Sequence, residues 1–164
     1  MRLLFLDTCT WLKLEILERE ELFKNSKLFN FGSLAITYEI KEELEYFSIS
    51  SLDLRTLIVY PIKNKILYKQ ALELGFDEAD ASLLSNGKIE EEELYLISED
   101  RGVISFGQFH KMNIMQLADF FMVLTASNHL TKRNCYHLIK FLRKQRNITH
   151  KKEQNILGWL KLFK

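Results

Sequence analysis

One proline and six glycines in 164 residues leave little material for a loop-rich or disordered chain. Two cysteines, Cys9 and Cys135, make neither a disulfide framework nor metal-ligand spacing, and a reduced, cytoplasmic setting is the simplest expectation. No apolar run approaches the ~20 residues that a membrane-spanning helix needs. The N-terminal run Leu3-Leu4-Phe5-Leu6 stops on Asp7 and is too short for a signal peptide. His110, His129, His137 and His150 lack any metal-binding spacing, and no serine carries the glycines of a nucleophile elbow. Gly87-Lys88 is not a phosphate loop, because the earlier glycine and the following Ser or Thr are missing.

What is present is an average globular composition, 47% apolar and 27% charged, in a length that suits one domain with a real core. The net charge of +1 hides an asymmetry. Before Lys132 there are 21 acidic against 13 basic residues, a net −8; from Lys132 onward ten basic residues face Glu153 alone, a net +9. An acidic body with a basic tail suits a cation site beside a polyanion-binding surface, although a solvated basic helix face reads the same way.

Short apolar runs alternate with helical patterns. Residues 3–6, 33–36, 94–98 and 113–115 read as strands, and 57–60 as a strand or strand-like connector. Between them, helices are predicted from about Thr10 to Phe23, behind the N-cap Thr37, from Ile66 to Leu74 ending at Gly75, behind Asp77, and from Ile104 to Phe109. The stretch from Glu90 to Glu93 reads as a solvated turn. From Gln116 the chain is helical, with apolar stripes at Leu117, Phe120, Phe121 and Leu124, at Tyr136, Leu138, Ile139, Phe141 and Leu142, and at Ile156, Leu157, Trp159, Leu160 and Phe163. Such alternation predicts an α/β fold with a mainly parallel sheet. Residues 1–127 are expected to form this unit, with 128–164 a basic helical extension packed on it.

Ligands of open parallel sheets gather beyond the carboxyl ends of the strands. Asp7 and Asp100 each follow a predicted strand, Glu39 or Glu43 lies on the helix after the second, and Asp80 opens another helix. Helix capping alone would explain Asp7. Four carboxylates at one edge, however, repel each other unless a cation sits among them, and hard oxygen donors suit Mg²⁺ or Mn²⁺. Such ions act on phosphate groups.

Asp7-Thr8 closing an apolar strand, Thr37-x-x-Ile40-x-x-Glu43-Leu44, Asp80-Ala81-x-Leu83-Leu84 and Ile97-Ser98-x-Asp100 resemble, in order and spacing over residues 1–125, the four motifs of PIN-domain nucleases, which include VapC-type toxins. The resemblance implies a three-layer α/β/α PIN-like fold and a Mg²⁺- or Mn²⁺-dependent endoribonuclease. Asp7, Glu43, Asp80 and Asp100 would be its acidic metal-binding set. Thr8 and Ser98 match accompanying hydroxyl residues, and Asp77 and Glu99 would be outer acids. Cys9 stands where Ser or Asn is commoner. Glu39, one turn before Glu43, is the alternative second acid, with the spacing favouring Glu43.

Lys132, Arg133, Lys140, Arg143, Lys144 and Arg146 are the candidate RNA contacts, through salt-dependent binding to phosphates. Tyr136 and His137 lie among them, and Tyr136 also fits the buried stripe. The resemblance further implies a small antitoxin partner, a toxin role and a homodimer. The competing expectation is a catalytically silent PIN-like module that binds RNA or protein.

Overall fold

A computed structural model describes residues 2–49, 53–88 and 93–163. Five strands, β1 (Arg2–Leu6), β2 (Ser33–Thr37), β3 (Ile58–Tyr60), β4 (Glu93–Ile97) and β5 (Ile114–Met115), form one sheet in the order β3-β2-β1-β4-β5. Every neighbouring pair is parallel. Helices flank the sheet: α1 (Thr8–Arg19), α2 (Tyr38–Tyr46), α3 (Lys65–Glu73), α4 (Glu78–Ser85), α5 (Arg101–Phe109) and α6 (Leu117–Ala126), followed by α7 (Lys132–Lys144) and α8 (His150–Leu162). No helix among the described residues is long and apolar enough to cross a membrane.

The centre of the sheet follows directly from its sequence. Leu3, Leu4, Phe5 and Leu6 are wholly buried, because β1 has a strand on either side and helices over both faces. Four such side chains contribute about 1.5–3 kcal/mol each through burial. The chain builds β2 and β3 on one side of β1 and then β4 and β5 on the other. The direction therefore switches between β1 and β4, and a crevice opens beyond their carboxyl ends.

Three local expectations are corrected. The helix after β1 ends at Arg19 rather than near Phe23. Glu21 takes a left-handed φ of 58°, Leu22 N–H reaches back to the Leu17 carbonyl, and Glu21 N–H bonds the Glu18 carbonyl, which closes the helix in a Schellman motif. A 3-10 segment, Asn25–Asn30, follows. Second, Glu93 begins β4 instead of ending a turn, and its carboxylate meets the Arg2 guanidinium at 2.7 Å; residues 90–92 of that predicted turn lie outside the described residues. Third, α7 buries Cys135, Leu138, Ile139 and Leu142, whereas Tyr136 is 44% exposed. Tyr136 stands one residue, about 100°, off the buried stripe.

Helices α7 and α8 pack back onto the rest of the chain through α6. Cys135 Sγ lies 3.8 Å from the Phe121 carbonyl oxygen, and Lys152 meets the Asp119 carboxylate at 2.6 Å.

Candidate functional site

Five helix starts define the crevice, and four of them are capped by the side chain of their own N-cap residue. Asp7 is 4% exposed and caps α1. Its Oδ1 accepts the Thr10 amide at 2.6 Å and its Oδ2 the Glu99 amide at 2.9 Å, so backbone from both sides of the switch point holds one carboxylate. Asp77 caps α4 by accepting the Asp80 amide at 2.8 Å. Asp100 caps α5 by accepting the Val103 amide at 2.9 Å, and its own amide donates to the buried Ser98 hydroxyl at 3.1 Å. Thr37 caps α2, accepting the Ile40 amide at 3.3 Å. The fifth start, that of α6, receives Glu99 instead, whose Oε1 accepts the Leu117 amide at 2.9 Å.

A buried hydroxyl chain joins two of these starts. Ser82, on α4, donates to the Ala79 carbonyl at 2.7 Å and lies 2.6 Å from the Thr37 hydroxyl. With the Ser82 proton committed to Ala79, the Thr37 proton goes to Ser82. The helix that carries Glu43 is thereby fixed against the helix that carries Asp80. Glu43 is also tied to the first strand's exit, because the Thr8 hydroxyl donates to its Oε2.

The acids sense one another. Burial, followed by the charges of Asp77, Asp7, Asp100 and Glu43, pushes the Asp80 carboxyl up to about 7. The exposed Cys9 thiol is raised as well, by partial burial and then by Asp7 and Asp80, against the opposing charge of Lys13. Asp7, Glu43, Asp80 and Asp100 thus share one electrostatic neighbourhood. Glu39 faces elsewhere: together with Glu78 it adds to the burial that raises the Tyr68 hydroxyl, and its Oε2 is buried without a hydrogen-bond partner among the described residues. Glu99 turns away from the acids, its Oε2 meeting Lys13 at 2.6 Å.

The donors at the crevice are carboxylate and hydroxyl oxygens, the chemistry of Mg²⁺ or Mn²⁺. Among the described residues no three His, Cys, Asp or Glu side chains stand grouped to hold a metal ion. Mg²⁺ keeps several waters and takes one or two carboxylates, so this donor set fits it without a closed cage. Asp7 retains acceptor capacity beyond its two amide bonds.

The basic tail is arranged differently from the sequence expectation. Lys140 and Arg143 turn to the buried Glu153, at 2.8 and 3.8 Å, and Lys132 donates to the Phe163 carbonyl. Arg133, Lys144 and Arg146 stay exposed. Nearer the acids, Arg101, Gln108, Gln116 and Lys152 line a hollow of about 340 Å³. It shares Asp119 and Lys152 with a second hollow, of about 420 Å³, that includes Lys151 and Asn155. Sequence reasoning passed over Ser82, Arg101 and Glu153, since none falls in a spacing motif; only the isolation of Glu153 among ten basic residues marked it.

No family model, curated protein or solved structure matches the chain.

Proposed function

We propose that this chain is a PIN-like, divalent-metal-dependent endoribonuclease of the cytoplasm, with a three-layer α/β/α fold and with Asp7, Glu43, Asp80 and Asp100 as its acidic set. What supports the reading is that Asp7 and Asp100 follow β1 and β4, that Thr8 ties Glu43 beside Asp7, and that all three charges, after burial and Asp77, oppose ionisation of Asp80. Such a cluster is destabilising by itself and is relieved by a cation. Bound there, Mg²⁺ or Mn²⁺ supplies the Lewis acidity that neutralises charge on a phosphodiester. Asp7, fixed by two amides, and Glu43, fixed by Thr8, are the pre-set donors. Asp80, whose ionisation is opposed by burial and by Asp77, Asp7, Asp100 and Glu43, is the acid that a cation would relieve most. Arg101, in the hollow one residue from Asp100, and Lys151, in the adjoining hollow, hold the flanking phosphates.

Melting curves with millimolar Mn²⁺ test this reading. A ligand bound to the folded state stabilises by mass action, about 2.7 kcal/mol at a hundredfold excess over Kd. Each kcal/mol moves the melting temperature of a chain this long by about 2–4 °C. Wild type gains several degrees and cleaves RNA in a manner that EDTA stops; Asp80→Asn loses both properties. A second reading, a silent RNA-binding module, is favoured by the helix-capping work of Asp7 and Asp100. It predicts RNA retention with no Mn²⁺ response and no cleavage.

A further inference from the structure

A larger concavity lies beside the acids and differs from them in chemistry. Gln70, Leu74, Phe76, Phe106, Phe109 and His110 line an open groove of about 730 Å³ between α3, the approach to α4, and α5. Its size falls within the range of about 300–1,000 Å³ common to small-ligand sites. The lining is aromatic. Phe76 and Phe106 meet edge to face with centroids 5.7 Å apart, and His110 lies 4.5 Å from Phe106. Phe109 is 82% exposed, an apolar ring left in water at the rim.

Gly102 joins the groove to the acid site. It lines the groove, and a Cβ there would stand 3.0 Å from Asp100 Oδ1 and 3.1 Å from Phe76 Cε1. Asp100 and Phe76 therefore pack against the same backbone position, an acid of the site and a ring of the groove with no room for a side chain between them. Phe76 also directly precedes Asp77, the cap of the helix that bears Asp80. Among the lining residues the one carboxylate, Glu73, and the neighbouring acids repel phosphate or an acidic peptide, whereas a neutral flat ring meets no penalty. Gln70 and Ser105 offer edge hydrogen bonds.

We propose that this groove takes one unstacked nucleobase of the strand whose phosphate lies at the acid site, making it a base-preference subsite. The source of the strand rests on the nuclease reading; the groove's selectivity for a stacked ring does not. Aromatic faces bind unpaired bases by stacking, with sequence tolerance set by edge contacts.

The test uses an RNA tetranucleotide with a 2′-O-methyl backbone that carries one 2-aminopurine, and a matched oligonucleotide with an abasic residue at that position. Wild type is expected to quench the probe saturably. Phe109→Ala and the abasic oligonucleotide should each weaken binding about five-fold or more, the lower end for one base–aromatic stack. Phe76→Leu, checked by circular dichroism, probes the end near Asp100. Equal affinity for the abasic and base-bearing oligonucleotides overturns the proposal, as does unchanged binding in both variants. A dimer that Phe109→Ala splits, with no quenching, also overturns it and assigns the groove to a second copy of the chain. Cleavage of unmodified RNA in Mn²⁺ is scored separately. Base-dependent binding without cleavage keeps the subsite and removes the nuclease reading; cleavage without base-dependent binding does the reverse.

Discussion

Asp80 concentrates the electrostatics of the crevice in one side chain. A carboxyl that is harder to ionise in the folded chain destabilises the fold once it is ionised. Its cost is therefore absent below about pH 4, grows as the pH rises, and is complete above the folded value of about 7. The displacement from 3.8 to about 7, discounted for the side chain's partial exposure, is on the order of 1–2 kcal/mol. Asp80→Asn should accordingly melt several degrees above wild type at pH 8 and level with it at pH 4, in metal-free buffer. With Mn²⁺ present the order at pH 8 should reverse, because only the ionised wild-type carboxylate gains from the cation. Ser82 acts at the same scale. Ser82→Ala leaves the buried Thr37 hydroxyl without its acceptor, a loss of about 1–3 kcal/mol that urea unfolding would register. It should also lower RNA cleavage, since α2 and α4 carry Glu43 and Asp80.

Elements whose residues face a single environment were readable before the fold was known. Leu3 to Leu6 and Leu94 to Ile97 are short apolar runs because parallel strands lie between helices, and Thr37, Asp77 and Gly75 punctuate helices by chemistry that is local to the chain. Asp7, Asp80 and Asp100 stood out for the same reason, as each follows a strand or lies in the first turn of a helix, whereas Glu43, midway along α2, was singled out by motif spacing alone. What escaped depends on distant partners. The end of α1 takes its left-handed turn at Glu21 rather than at a glycine, and Phe23 is buried beyond it against Phe121, 5.4 Å between ring centroids. Glu153 is the clearest case, a lone acid that buries its carboxylate between Lys140, Arg143 and His150. The Lys140 hydrogen bond leads in holding that carboxyl below its ordinary value, against the cost of burial. A depressed carboxyl stabilises above its unfolded pKa and loses that contribution as the pH falls through the folded one. Glu153→Gln should therefore lower the melting temperature at pH 7, with faster amide exchange in α7 and α8, and the gap from wild type should narrow as the pH falls below the ordinary glutamate value of 4.5.

At the scale of the whole molecule, the cations of the tail and of α5 divide into those that hold the chain together and those that remain for a partner. Lys132, Lys140 and Arg143 belong to the first group by their contacts with Phe163 and Glu153. Lys152 joins them through Asp119, whereas Arg101 lines the hollow beside Asp100 and the exposed Lys151 lines the adjoining one. Phosphate contacts on a single strand release counterions, and each lowers the slope of log K against log salt by about 0.7. Anisotropy titrations of a labelled single-stranded RNA between about 50 and 200 mM salt separate the two groups. The pair Arg101→Gln and Lys151→Gln should weaken binding and flatten the slope by about 1.4, the share of two phosphates. Lys140→Gln should leave the slope as it is, because its ammonium serves Glu153. If Lys140→Gln flattens the slope and the pair does not, the strand runs along α7, and the hollow beside Asp100 is not its path.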